Sequence, residues 1–156
     1  LFEDAGVALV VVGDGLVAAD ASLLGRAVTN LLDNAIRHGV DCKTVRVTIE
    51  PQPDGKVCLG VRNRGGPIPE AHLARLFDRF YRLDRAREHS HDVHGLGLAV
   101  VKAIVTMHGG AVFARLGTAD WVTNQMLALP LPLTLMFGQQ MRLMQQQKEQ
   151  LLILIF

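Results

Sequence analysis

Two asparagines, Asn30 and Asn34, stand four positions apart in NLLDNAIRHG, a segment that otherwise has the pattern of a buried helix. Asparagine is a poor residue inside a helix because its carboxamide competes for backbone hydrogen bonds. Neutral amide oxygens nevertheless suit a hard cation that already carries phosphate oxygens and water, and they add no negative charge beside a triphosphate. The pair therefore indicates either a magnesium–phosphate site or two solvated side chains on a surface helix.

A second candidate site comes directly after a strand-like segment, where Asn63 is succeeded by Gly65 and Gly66 in VRNRGGPIPE. Glycine permits close approach of the backbone to a flat ligand. The carboxamide of Asn63 has an acceptor and two donors, which match the amino group and a ring nitrogen of adenine. The alternative is an ordinary turn from strand to loop.

A third candidate is HGLGLAVVKAIVTMHGG, in which Gly95 and Gly97 precede an apolar helical pattern. The unpaired N–H groups and the dipole at the start of a helix attract an anion. Two glycines before a helix also describe a plain helix start, so this segment alone does not decide between the two.

Hydrophobic periodicity predicts the elements that position these residues. Residues 6–20 predict two short strands around the turn Gly13-Asp14-Gly15. Residues 21–38 predict a helix, capped by Asp20 or Ser22 and ended by Gly39 at the usual C′ position.

The remainder of the chain predicts a mainly β region that contains a second helix. Strands are expected at 43–50 and 56–63, short helical pieces at 70–82, and a helix at 96–108 whose apolar face includes Leu98, Val101, Ile104 and Val105. The segments AVFARL and WVTNQMLALPL predict the last two strands.

Size and composition allow one domain with a substantial core. The chain has 156 residues, of which 49% are hydrophobic, and a formal net charge of +1 that gives no reason to expect nucleic acid. Cys42 and Cys58 have no disulfide-framework spacing, which favours a reducing compartment. The opening LFEDAG resembles the middle of a protein, so we expect a domain excised from a longer chain.

Taken in order, the motifs resemble the ATP-binding domain of sensor histidine kinases in the GHKL (Bergerat) superfamily. NLLDNAIRH is similar to the N box, VRNRGGPIPE to the first glycine box, LFDRFYR to the F box and HGLGLAVVKAIVTMHGG to the second glycine box. The F box is typical of histidine kinases rather than of their gyrase-like and mismatch-repair relatives. The resemblance implies an α/β fold, a two-layer α/β sandwich with helices on one face of a mixed sheet. It places the catalytic domain at 1–131 and leaves 132–156 as a tail, either helical or disordered.

The resemblance also implies ATP and Mg²⁺ as cofactors and assigns roles around the phosphates. Asn34 is expected to be the magnesium ligand, and Asn30 to support the phosphates or the metal. Arg37 and His38 are expected near the phosphates and the ribose. The start of the second helix lines the phosphate end of the pocket through Gly95, Leu96, Gly97 and Leu98.

The resemblance assigns further roles at the adenine and at a lid of about residues 83–94. Asn63 takes the place of the adenine-contacting acid, Gly65 lets the backbone approach, and Ile68 is expected among the ATP contacts. Anchoring of the lid base is expected from Phe77, Phe80 and Tyr81, with Arg82 reaching toward the γ-phosphate.

Three positions depart from the family pattern. Asn63 stands where the family usually has Asp, and Pro67 and Val93 stand where it usually has Gly. The N-x-G-x-P-I pattern resembles a subgroup that includes heavy-metal sensors. None of the six histidines lies in the phosphoacceptor motif, so ATP binding with little turnover is expected from this chain alone.

The partners implied are the kinase's own dimerisation and phosphoacceptor domain and a response regulator, but no nucleic acid. The parent protein is expected to be a homodimer anchored in the bacterial inner membrane, with this domain in the cytoplasm. Two alternatives stay open: a degenerate nucleotide-sensing or protein-interaction module, and a serine kinase of the anti-sigma type, against which the F box argues.

Three other features have a functional and a structural interpretation. The histidines of HSHDVH indicate either a transition-metal site or a polar lid, and their spacing fits no structural zinc pattern; they are His89, His91 and His94. The stripe of Arg75, Arg79 and Arg82 is interleaved with acids, which favours ATP phosphate or a docking surface over nucleic acid. Trp121 and Met107 are expected in the core rather than in contact with a cofactor.

Overall fold

The structure is a computed structural model that describes residues 5–39, 43–66, 68–83 and 95–116, together with the backbone of 122–130. Within these ranges the elements are, in chain order, β1 (Ala8–Gly13), α1 (Ala21–His38), β2 (Thr44–Pro51), β3 (Lys56–Asn63), α2 (Glu70–Leu73), α3 (Gly97–Met107), β4 (Ala111–Leu116) and β5 (Val122–Pro130). The predicted pair of central strands, the two long helices and the last two strands are therefore confirmed. The tail at 132–156 lies outside the described residues.

The strands form one mixed sheet in the order β1-β2-β3-β5-β4. The β1 strand is parallel to β2, whereas the β2–β3, β3–β5 and β5–β4 pairs are antiparallel. The described helices α1 and α3 pack on each other and on the sheet. This arrangement confirms the predicted α/β class.

The core lies between the helices and one face of the sheet. In β2 the buried residues alternate with more exposed ones, so that Val45, Val47 and Ile49 face the helices. Apolar side chains recur along α1 and α3 at helical spacing and meet them there. The buried helix residues include Leu24, Val28, Leu31 and Ala35 of α1 and Val101, Ile104 and Val105 of α3.

The ends of α1 are set by two different interactions. At its start the Asp20 carboxylate accepts a hydrogen bond from the Leu23 N–H over 2.8 Å, which confirms Asp20 as the N-cap. At its end Gly39 adopts φ −68° and ψ 129°, an extended conformation, so the expected left-handed C′ glycine is wrong. The reason is tertiary, because Gly39 forms an antiparallel bridge with Gly65 that holds the chain extended.

The predicted hairpin at 6–20 is also wrong. Only the first of the two strands forms, and it pairs with β2 rather than with the segment after the turn. Val17, on the far side of that turn, is buried in the core. The Gly-Asp-Gly signal correctly marks a change of direction, but burial of apolar side chains against the sheet decides the path that the chain takes after the turn.

A histidine joins the start of α1 to the end of α3. The Asp20 N–H donates to Nε2 of His108 over 3.0 Å, and Nδ1 of His108 lies 2.7 Å from the carbonyl oxygen of Ile104. The His108 ring is therefore the tautomer with hydrogen on Nδ1, donating to Ile104 and accepting from Asp20.

The adjacent Met107 is 72% exposed, so its predicted core position is wrong. Met107 is the last residue of α3 and lies opposite the buried Val105 on the helix.

Gly13 is expected to be intolerant of substitution by alanine. Its φ of +86° is unfavourable for L-residues, at about 1–2 kcal/mol, and a Cβ would lie 2.1 Å from the Ile49 carbonyl oxygen. Relieving that overlap is expected to add roughly 1–3 kcal/mol. Gly13→Ala should therefore lower the free energy of unfolding measured by urea denaturation by more than the conformational term alone.

Gly55→Ala is the matched control, because Gly55 has φ +77° but no atom within 4 Å of the added Cβ. It is expected to show only the conformational cost, about 1–2 kcal/mol. Equal losses in the two variants would contradict the assignment of a steric contact at Gly13.

Candidate functional site

The centre of the candidate site is the contact between α1 and the start of α3. A Cβ placed on Gly97, the first residue of α3, would lie 3.8 Å from Oδ1 and 3.9 Å from Cγ of Asn30. The first turn of α3 therefore lies directly against the carboxamide of Asn30. The structure thus brings together two of the sequence-predicted residues that are far apart along the chain.

The carboxamides of α1 and the first N–H groups of α3 have no side-chain partner among the described residues, so they are free to bind a ligand. Asn30 and Asn34 are both half-buried, and neither carboxamide makes a hydrogen bond to another described residue. The N-cap position of α3 is Leu96, which offers no side-chain cap. Because the first N–H groups of a helix have no partner inside it, the start of α3 presents donors and the positive end of the dipole beside neutral amide oxygens.

A cationic group lies where α1 ends. Partial burial, followed by the charges of Arg37 and Arg82, holds the pKa of His38 below its usual value of 6.5. The Arg82 charge therefore lies near the last turn of α1, although Arg82 is the last residue of the F box and is far from α1 in sequence. The Nε of Arg37 donates to the Asp33 carboxylate over 2.9 Å. Such an exposed i,i+4 pair contributes only about 0.3–0.5 kcal/mol, so it does not commit Arg37 to Asp33.

Asn63 occupies the floor of the helix-covered side of the sheet. It follows Val57, Leu59 and Val61 at two-residue spacing and therefore faces the helices as they do. Its exposure is 0%, and its Nδ2 donates to the Arg64 carbonyl over 3.4 Å. The strand therefore ends in a buried polar side chain on the side of the sheet that the helices cover.

The residues after Asn63 return to the end of α1. Gly65 forms its bridge with Gly39, one residue beyond His38, so the first glycine box and the N box meet there. Ile68 is half-buried nearby in sequence, whereas Pro67 lies outside the described residues.

The F box holds the start of α3 through the backbone of Phe80, a contact that the sequence did not predict. Phe77 is buried, whereas the Phe80 side chain is 69% exposed. Its N–H instead donates to the Gly95 carbonyl over 3.1 Å, and Phe80 itself adopts φ +60°. A Cβ on Gly95, whose φ is +61°, would lie 3.2 Å from the Phe80 Cα, so the close approach requires glycine.

Sequence reasoning missed the residues that fix Tyr81. Its hydroxyl forms a hydrogen bond with Nδ1 of His72, and the Arg75 guanidinium stacks 4.5 Å from the centre of its ring. Lys102 of α3 lies 3.5 Å from the Asp78 carboxylate. The three-residue spacing of His72, Arg75 and Asp78 was the available signal, because it places side chains on one side of a helical segment.

The two predicted leucines at the start of α3 differ in burial. Leu96 is partly exposed beside the start of α3, whereas Leu98 packs against the core and supports the helix from inside.

Several predicted residues lie outside the described ranges: the proposed metal ligands His89, His91 and His94, the lid, Val93 and Trp121. Among the described residues, no group of three or more His, Cys, Asp or Glu side chains is placed to hold a metal ion. No described helix has the length and hydropathy of a membrane span.

The fold and the order of its motifs define a class of protein. The family model for histidine kinase-, DNA gyrase B-, and HSP90-like ATPases matches residues 19–132. The chain belongs to this family of ATP-using domains.

Its relatives are sensor kinases. The chain is 40% identical over 131 residues to the sensor protein CzcS of Cupriavidus metallidurans, covering 84% of this chain and 27% of that protein. It is 47% identical over 113 residues to the sensor histidine kinase CusS of Escherichia coli K12, covering 72% of this chain and 23% of CusS. The chain thus spans about a quarter of the length of these relatives.

Solved structures of histidine kinases have the same fold as this chain. The mycobacterial sensor histidine kinase MprB superimposes with a TM-score of 0.70 at 32% identity, covering 82% of this chain and 86% of that one. The catalytic domain of histidine kinase ThkA superimposes with a TM-score of 0.67 at 25% identity, covering 83% and 82% of the two chains. The predicted two-layer histidine-kinase fold is confirmed.

Replacement of Arg82 by glutamine is expected to raise the pKa of His38, because it removes a positive charge that disfavours the imidazolium form. The measurement is an NMR titration of the His38 ring, with a midpoint below 6.5 in the wild type. Since the unfolded chain then binds more protons than the folded one, this histidine also makes stability decrease as the pH falls through about 6.5.

Arg64→Gln is the control, because Arg64 is exposed and is not among the charges that act on His38. Its titration should match that of the wild type. An unchanged midpoint in Arg82→Gln would mean that Arg82 does not lie near the end of α1 in solution.

Proposed function

We propose that the chain is the ATP-binding catalytic domain of a two-component sensor histidine kinase, and that it binds Mg-ATP between α1 and the start of α3. The observation that carries this proposal is the contact of Asn30 with Gly97. It places neutral amide oxygens beside an uncapped helix N-terminus, which is the combination that a metal-loaded polyphosphate requires.

The donor set fits magnesium. Mg²⁺ prefers oxygen ligands, keeps several of its waters, and is usually held by few protein groups together with substrate phosphates. Asn34 would hold the metal through its amide oxygen, and Asn30 would support the phosphates or the metal. When bound, the metal neutralises charge on the phosphate oxygens during transfer.

The phosphate charge is balanced by cations at the end of α1. Arg37 and Arg82 face the triphosphate with His38 beside them, and a bound anion favours the protonated form of His38. Gly95, Leu96 and Gly97 give the phosphates access to the helix N–H groups. Tyr81, held by His72 and Arg75, fixes the chain that leads to Arg82.

The adenine is recognised at the end of β3. Asn63 faces the helix layer with an amide that accepts from the adenine amino group and donates to a ring nitrogen. Gly65 lets the loop backbone approach the base, and Ile68 packs against it. Exposed Phe80 covers the opening of the site rather than anchoring the lid.

The acceptor of the γ-phosphate is a histidine on a separate dimerisation domain, from which the phosphoryl group passes to an aspartate of a response regulator. The described histidines of this chain are unsuited to that role. His72 is bonded to Tyr81, His108 joins α1 to α3, and His38 lies at the nucleotide. Because phosphoryl transfer depends on in-line positioning of the acceptor, the chain alone turns over slowly.

The names of the relatives support a sensor role for the parent protein. CzcS and CusS are named as a sensor protein and a sensor histidine kinase. We infer a membrane-anchored homodimer with this domain on the cytoplasmic side, in the subgroup that includes heavy-metal sensors. The competing function is a nucleotide-sensing or interaction module without kinase activity.

Asn34→Ala is expected to weaken Mg-ATP binding at least about 10-fold, because the metal loses a direct ligand. Isothermal titration with ATP in the presence of magnesium measures the change. With EDTA in place of magnesium, the wild type and the variant should bind ATP with similar, weaker affinity.

Gln52→Ala is the control, since it removes a carboxamide from the turn between β2 and β3. It should bind Mg-ATP like the wild type. If the wild type produces neither heat nor an ATP-dependent rise in melting temperature, the catalytic assignment fails and the interaction module takes its place.

Phosphotransfer tests the kinase activity itself. The chain is mixed with the separately purified dimerisation domain of CusS and with ATP radiolabelled on the γ-phosphate. The label is expected on that domain in an acid-labile, base-stable form, which identifies phosphohistidine. The reaction should require this chain and be reduced in Asn34→Ala.

Label on serine would instead indicate the serine-kinase alternative. Binding of Mg-ATP without transfer to any phosphoacceptor domain of the relatives would favour the nucleotide-sensing module.

A further inference from the structure

The face of the sheet opposite the helices carries a second, unassigned set of polar residues. Because Val45, Val47 and Ile49 of β2 face the core, the intervening Arg46 and Glu50 point to the opposite face. On β3 the same alternation turns Arg62 and Cys58 away from the helices. We call this surface the open face, defined by these four residues with Val12, Thr48, Phe113 and Arg115.

Three arginines form a row across the open face. Arg46 is directly opposite Arg62 in the β2–β3 register. On β4, Val112 packs toward the core and the Arg115 guanidinium lies 4.8 Å from the centre of the Phe113 ring, so both of those side chains share the open face.

The strand order places Arg115 at the same level as the other two arginines. Arg115 is paired with Thr123 of β5, and Asn63 of β3 is paired with Val122, next to it. Since β2, β3, β5 and β4 are adjacent in that order, the row from Arg46 to Arg115 is roughly 14 Å long at the usual strand spacing.

The row concentrates positive charge on the open face. Like charges directly opposite each other on antiparallel strands destabilise the sheet. Arg46 and Arg115 are exposed, and none of the ion pairs among the described residues involves either of them. A ligand that brings negative charge to the row would remove this repulsion.

The rest of the open face limits what that ligand is. Glu50 is paired with Cys58, four residues along β2 from Arg46, so the face is acidic at its other end. Burial and then Glu50 raise the pKa of the Cys58 thiol, whereas Arg115 lowers it, which places both charges around the same central residue. Between the basic and the acidic end of the open face, Val12 is 47% exposed and is paired with Thr48.

We propose that the open face is a docking surface for an acidic polypeptide segment, whose carboxylates pair with Arg46 and Arg115 and whose apolar residues lie on Val12. Guanidinium groups bind carboxylates through two parallel hydrogen bonds. Among the described side chains of this face the aromatic group is Phe113, and the Arg115 guanidinium covers it, so there is no stacking platform for nucleic acid bases. Glu50 on the same face opposes a flat anionic membrane.

The position of the surface makes it independent of the nucleotide. Asn63, on the helix side, and Arg62, on the open face, are neighbours on one strand that point in opposite directions. An acidic partner therefore docks without covering the candidate ATP site, and both ligands are bound at the same time.

A fluorescently labelled decapeptide of glutamate tests the proposal with the full chain. Its binding, followed by fluorescence anisotropy at low ionic strength, should weaken at least about 10-fold in the double variant Arg46→Gln/Arg115→Gln, because two charge-assisted contacts are lost. Mg-ATP binding by that variant should equal that of the wild type, which also shows that the variant is folded.

The matched control changes two exposed basic residues of the helix layer, on the other side of the sheet. Arg26→Gln/Lys102→Gln removes the same charge from these helix residues, and it should change peptide affinity by less than about 2-fold. Equal weakening in the two double variants, or no binding of the peptide by the wild type, would overturn the proposal. Tighter binding of oligothymidylate or of phosphatidylserine vesicles, with the same dependence on Arg46 and Arg115, would also overturn it and reassign the surface to that ligand.

Discussion

The packing of α1 against α3 is the constraint on which the rest of the molecule depends. Its apolar part buries Val28 and Leu31 of α1 with Val101 and Val105 of α3 on the same side of the sheet. The two ends of this packing differ: at one end Gly97 lies beside the Asn30 carboxamide, with which a Cβ would be in van der Waals contact, and at the other a hydrogen bond joins His108 of α3 to Asp20. Apolar packing alone tolerates small shifts of one helix along another, whereas these two contacts require one register. The position of the uncapped start of α3 relative to the amides is therefore fixed by both ends of the helix pair.

The same arrangement explains why polar groups persist inside an apolar layer. Burying an amide costs free energy that its hydrogen bonds only offset, and a valine at the position of Asn63 would extend the run of Val57, Leu59 and Val61. Asn30 and Asn34 likewise replace good helix formers along α1. These departures from the most stable sequence are grouped on one side of the sheet, around the ends of β3 and α1. Stability is supplied elsewhere, by the strands and by the apolar stripes of the two helices.

Sequence patterns predict the elements in which burial has a regular period and fail where a distant contact decides the conformation. Residues 21–38, 43–50 and 56–63 are predicted correctly because their apolar spacing matches a helix or a strand over many residues. The turn at Gly13 has the local signal of a hairpin, but that signal says nothing about which strand becomes the neighbour. For the site, residue types predict the facing amides and glycines, since their order along the chain is distinctive. They do not predict that Phe80 acts through its backbone or that His72 and Arg75 hold Tyr81, because these contacts depend on backbone geometry at Phe80 and Gly95.

The distribution of charge around the proposed nucleotide reflects the cost of burying ions. The fully buried position at the end of β3 holds a neutral amide, whereas the guanidinium groups of Arg37 and Arg82 lie at the exposed end of α1. A carboxylate at Asn63 would need compensation in a layer of valine and leucine, but an amide retains both a donor and an acceptor without a net charge. Cations at the rim remain solvated when the site is empty, and they gain an anionic partner when it is filled. Base recognition in the proposed complex thus rests on neutral hydrogen bonds that salt screens little, and phosphate affinity rests on exposed charges that salt screens strongly.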